Sequence, residues 1–175
     1  MPGFWNSLFA RAAQVRADQP VTEDDWNEAA SLPLFYGLSS DEMLRLRGLA
    51  GQLLADKTLT PVSAAVLSGV ACAGLALQAT LPILNLGYPV YRGWREIILY
   101  PGEFVPDREV TDDFGIVHRV RQPLSGEAWE GGPLVLSLDD VAASGHCQGF
   151  WVVIQVLAHI VEMGIGAVVG LPGMA

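Results

Sequence analysis

The chain has 175 residues, 51% of them hydrophobic and 17% charged, with a formal net charge of −9. That length suits one compact domain with a substantial core, and the acidic balance excludes a nucleic-acid surface, which needs clustered Lys and Arg. Two cysteines, Cys72 and Cys147, lack CxxC spacing, so a disulfide scaffold is excluded and a reduced, cytoplasmic setting is expected.

The first twenty residues do not read as a secretory signal. Phe4, Trp5, Leu8 and Phe9 share a helical face and suggest a docking helix. Thr22 before Glu23, Asp24 and Asp25 predicts an N-cap and a short helix to about Ser31. Ser39 with Glu42 three residues on is a capping box, and Met43, Leu46, Ala50, Leu53 and Leu54 then recur at helical spacing to about Asp56. No Asp, Glu, Lys or Arg occurs between Lys57 and Arg92. Residues 62–84 of that run are long enough to span a bilayer. Their Ser63, Ser68, Gly69, Gly74, Gln78 and Pro82 point instead to a helix over about 64–80 packed inside a protein.

From Trp94 the texture turns to strands. REIILY ends at Pro101-Gly102, FVPDREV and GIVHRVR flank a hairpin turning at Asp113 to Gly115, and PLVLSL at 133–138 is a further short strand. Asp139-Asp140 reads as a cap for a turn or short helix. A last helix covers about Phe150 to Met163, followed by the apolar, Gly-rich GIGAVVGLPGMA. Helices, then a small antiparallel sheet, then a helix across it define the α+β class. The expected organisation is a helical region at 1–60 joined to a second region at 61–175 in one compact unit.

Several stretches together resemble the Mlc titration factor A family of zinc-dependent peptidases. They are LPLFYGLSSDE at 32–42, LPILNLG at 81–87, YRGWREIILYPGEFV at 91–105 and LSGEAWEGGPLVLSLDDV at 124–141, followed by WVVIQVLAH at 151–159. In the family a segment like PLVLSLDDV leads into a helix of pattern VVIHEFAHKLDM. The resemblance implies a cytoplasmic, gluzincin-like aminopeptidase whose studied members bind the glucose repressor Mlc. Such chemistry places two histidines four residues apart on one helix face to hold Zn²⁺, with the glutamate after the first acting as general base.

Carried over residue by residue, the second histidine maps onto His159 and is present. The first maps onto Gln155, whose amide is a poor zinc ligand, and the general base onto Val156, which cannot ionise. The resemblance puts the third ligand beyond residue 175 and implies a chain shortened at its C-terminus. No catalytic residue is therefore assigned, His159 is the one candidate metal ligand, and Zn²⁺ is not expected to bind tightly.

Blander readings stand beside these. His159 is otherwise a partly buried histidine bonded to backbone or water. His146, Cys147, His159 and Glu162 include zinc-binding residue types, but their spacing matches no known cluster. Cys147 reads as an inert thiol, and Trp94, Trp129 and Trp151 as core or interface aromatics. Three functions follow: a peptidase fold acting by binding alone, a hydrolase with an altered site, or an oligomer built through the apolar C-terminal helix. In the binding reading, the strand near 133–138 serves as an exposed edge for an extended peptide.

Overall fold

The computed structural model describes residues 21–62, 67–102, 107–111, 117–121, 126–128, 132–146 and 151–169. The expected docking helix at the N-terminus, the hairpin turn at Asp113 to Gly115, Trp129 and Cys147 lie outside them. Helix α1 spans Glu23–Ala30, and α2 spans Ser40–Asp56. Both begin as their sequences require. Thr22 Oγ1 accepts from the Asp25 amide at 3.2 Å while the Thr22 amide donates to Asp25 Oδ2 at 2.8 Å. Ser39 and Glu42 repeat the exchange at 3.3 and 2.8 Å. Each box satisfies two amides that helix geometry leaves unpaired.

These bonds hold the Glu42 carboxyl below the ordinary glutamate range, mainly through the Ser39 amide and then its hydroxyl. A lowered native pKa contributes stability that is present above the unfolded value of about 4.3 and is lost as the pH falls from there through the native value. Ser39→Ala is therefore expected to cost about 1 kcal/mol at neutral pH, as N-cap serines do, and to reduce the acid-side loss of stability. Urea melts at neutral pH and at about pH 3.5 check this; an unchanged acid limb would show that the Ser39 hydroxyl, unlike its amide, has no part in the Glu42 shift.

Strand β1 covers Thr58–Pro61, helix α3 Gly69–Thr80, and strands β2 to β6 cover Glu96–Tyr100, Asp107–Thr111, Val117–Arg121, Gly126–Ala128 and Leu134–Ser137. Short α4 spans Leu138–Ala143 and α5 spans Val152–Val169, six residues beyond the expected end at Met163. Asp139 and Asp140 sit in the first turn of α4, whose N-cap is Ser137. Helix α3 is buried from Cys72 to Thr80 because α1, α2 and α5 pack around it, which accounts for its lack of charge. Among the described residues no helix is long and apolar enough to cross a membrane.

The α+β class holds, but the main sheet is not antiparallel. Its order is β1-β2-β6-β5, with β1, β2 and β6 mutually parallel and only β5 antiparallel to its neighbour. The reason is the crossover between β1 and β2 made by α3, which returns the chain to the same end of the sheet. EIILY and LVLS are accordingly continuous apolar runs, as parallel strands buried on both faces require. Ile97, Leu99, Leu134 and Leu136 face the helices, while Ile98 and Val135 face the other side with Val62 and Tyr100. The expected hairpin exists as a separate ribbon, β3 pairing antiparallel with β4 from Asp107↔Arg121 to Thr111↔Val117. The strand near 133–138 is not an edge: β6 is paired on both sides, by β2 and by β5.

Candidate metal centre

Helix α5 docks through Val152, Val153, Val156, Leu157 and Ile160, all buried in the main core. These recur at steps of one, three or four residues and make one broad helical face. That face packs against α3 and the two 3-10 segments at Leu81–Ile83 and Tyr88–Tyr91, with β5 alongside. The opposite face carries Gln155, His159 and Glu162, all exposed.

The two positions with metal-motif spacing, Gln155 and His159, therefore share a solvent-facing stripe one turn apart. His159 is not the partly buried histidine expected from its apolar neighbours. Its side chain is 72% exposed, and its Nδ1 lies 3.2 Å from Glu162 Oε2, with the Glu162 side chain 76% exposed. A pair so open to water adds little stability. Core packing needs only one face of α5, so the apolar composition around His159 says nothing about its own direction. Val156, the position at which the resemblance expects the general base, is 8% exposed and belongs to the core.

The donor set does not fit a catalytic zinc. Such a site needs three protein ligands, and the stripe offers one imidazole, one exposed carboxylate and an amide. Among the described residues no three His, Cys, Asp or Glu side chains gather as a metal site. Of the alternative cluster, His159 and Glu162 meet, His146 is exposed in the loop after α4 and joins no such group, and Cys147 lies outside the described residues. The other cysteine, Cys72, is a buried free thiol whose pKa is pushed up by burial and then by Asp25, which makes it unreactive. What the stripe can do is hydrogen-bond: an amide, an imidazole and a carboxylate together donate to and accept from peptide groups.

Sequence reading did not single out Lys57 or Ser144. Lys57 is 5% exposed, and its only signal is that it borders the uncharged run. Ser144, fully buried, is followed by glycine and reads as a turn.

Residues 8–175 match the family described as glucose-regulated metallo-peptidase M90. The chain is 39% identical over 160 residues to Mlc titration factor A of Serratia proteamaculans, covering 90% of this chain and 61% of that protein. It is 36% identical over 155 residues to the protein of the same name from Pectobacterium atrosepticum, covering 88% and 58%. For the one from Yersinia enterocolitica the identity is 38% over 153 residues, covering 86% and 57%. The chain thus spans 57–61% of the length of these curated relatives.

Proposed function

This chain belongs to the glucose-regulated metallo-peptidase M90 family, and we propose that within it the chain acts by binding a protein rather than by hydrolysis. The observation that carries the reading is the α5 motif itself. Gln155 stands on the exposed stripe where the zinc chemistry needs an imidazole, and Val156 stands in the core where it needs a carboxylate. A zinc peptidase without its base and with a single histidine can neither polarise water nor hold the metal through turnover. What remains is a rigid helix, anchored by five buried side chains, presenting an exposed polar stripe.

The relatives' name refers to titration of Mlc, and a repressor of that kind is the partner assigned here. The setting is cytoplasmic, in keeping with the free, buried thiol of Cys72. The test is an aminopeptidase assay on an alanine anilide with zinc supplied, alongside a binding titration with purified Mlc. The expected result is no zinc-dependent turnover together with saturable Mlc binding. Turnover that disappears in His159→Ala would overturn the non-catalytic reading, and absence of saturable binding would overturn the partner.

A further inference from the structure

Between α1, α3 and α4 lies a cavity of about 360 Å³, and no residue of α5 lines it. Leu32, Leu75, Leu138 and Val141 supply apolar wall, and Ala71 and Gly74 of α3 leave the room. That volume is within the range of small-molecule sites.

Glu28, Ser31, Ser68 and His146 line its exposed rim, and two buried polar side chains interrupt the apolar wall. Gln78 is 2% exposed and Ser144 fully buried, and both line the cavity. Gln78 Oε1 and Ser144 Oγ have no hydrogen-bond partner among the described residues. Buried polar atoms are nearly always paired, so two orphans on residues that line one cavity point to a missing partner. Gln78 is carried by α3 and Ser144 by the turn after α4. Gly145 adopts φ +90°, and a side chain there would be strained and would press on Leu32. The Gly145 carbonyl accepts from the Leu34 amide at 3.3 Å, tying the loop to the segment after α1.

We propose that this cavity binds a small, neutral, mainly apolar molecule whose single amide or hydroxyl head donates to Gln78 Oε1 and accepts from Ser144 Oγ. Neutrality follows from the lining. Its ionisable groups, Glu28 and His146, are both exposed, so a charged head at the buried end would lose its water and gain no counter-charge. The site is independent of the α5 stripe and stands whether or not the chain binds a protein partner.

The probe is hexanamide, titrated into the full chain by ligand-observed NMR. Sodium hexanoate serves as the charged isostere. Saturable hexanamide binding is expected, with hexanoate at least about tenfold weaker. Ser144→Ala and Gln78→Leu should each weaken hexanamide about fivefold, the loss of one hydrogen bond. Ser144→Ala should melt no lower than the parent, because it removes an orphaned hydroxyl; a merely structural role would lower the melting temperature instead. Ala71→Phe, which fills the cavity, should abolish binding, and if it fails to fold the Ser144→Ala result still decides. Equal binding of hexanamide and hexanoate would overturn the proposal, as would unchanged affinity in both polar variants. Absence of saturable binding would also overturn it, leaving water as the partner of the two atoms.

Discussion

Gln155→His will raise the affinity of this chain for Zn²⁺ about 100-fold. Four-ligand zinc sites bind with roughly 10–16 kcal/mol, close to 3 kcal/mol per ligand, which is about two powers of ten. The gain requires that the new imidazole and His159 point the same way, and the exposed stripe provides that: positions 155 and 159 are one turn apart on the face away from the core. Neither side chain has packing to give up, so the chelate forms at little cost. On the proposed non-catalytic reading no hydrolysis is expected to accompany it, because Val156 supplies no base. Competition against a chromophoric chelator at neutral pH measures the change, and Gln155→His with His159→Ala must return it to the parent value. An unchanged affinity in the single variant would mean that the two positions do not share a ligand-competent face. Adding Val156→Glu is a different matter. Val156 lies in the core at 8% exposure, so a carboxylate there must displace α5 or lose its water.

The second large effect concerns Lys57. Its ammonium donates to the carbonyls of Tyr91 and Trp94, both at 2.6 Å, and lies 2.8 Å from Asp56 Oδ2 and 4.4 Å from the Trp94 ring centroid. Replacing a buried ion by an apolar isostere is often neutral, because the ion's desolvation cost disappears with it. Here the partners decide otherwise. Two of them are buried backbone carbonyls that no substitution removes, and each unpaired one costs about 1–3 kcal/mol. Lys57→Met is therefore expected to destabilise by about 3 kcal/mol, a large share of a typical domain's 5–15 kcal/mol. Urea melts give the number. Asp56→Asn is the contrasting case: the Asp56 side chain is 41% exposed, and its loss should be far smaller. A Lys57→Met cost below about 1 kcal/mol would show that desolvation of the ammonium had cancelled its hydrogen bonds.

Elements whose cause lies within a few residues were legible in the sequence. Thr22 with Asp25 and Ser39 with Glu42 marked two helix starts correctly, because a capping box is made by side chains three positions apart. The hairpin of β3 and β4 was legible for the same reason. The direction of the main sheet was not. EIILY and LVLS read as strands, but the turn signal at Pro101-Gly102 and the adjacent hairpin suggested local antiparallel pairing, while their actual neighbours are set by crossovers.

The candidate site divides along the same line. The resemblance of the surrounding stretches put Gln155, Val156 and His159 at the metal-motif positions, and their residue types then gave the expectation of no second imidazole and no base. That conclusion depends on chemical identity, which the sequence by itself determines. Tertiary structure decided the rest: that Gln155 and His159 face solvent while Val156 faces the core, that β6 is interior, and that Lys57 reaches carbonyls 34 and 37 residues away. It also brought Gln78 and Ser144 to one cavity. The physical reason is that burial and pairing are properties of surfaces in contact. Those surfaces come from segments far apart in the chain, and no periodicity within one segment specifies what the other will present.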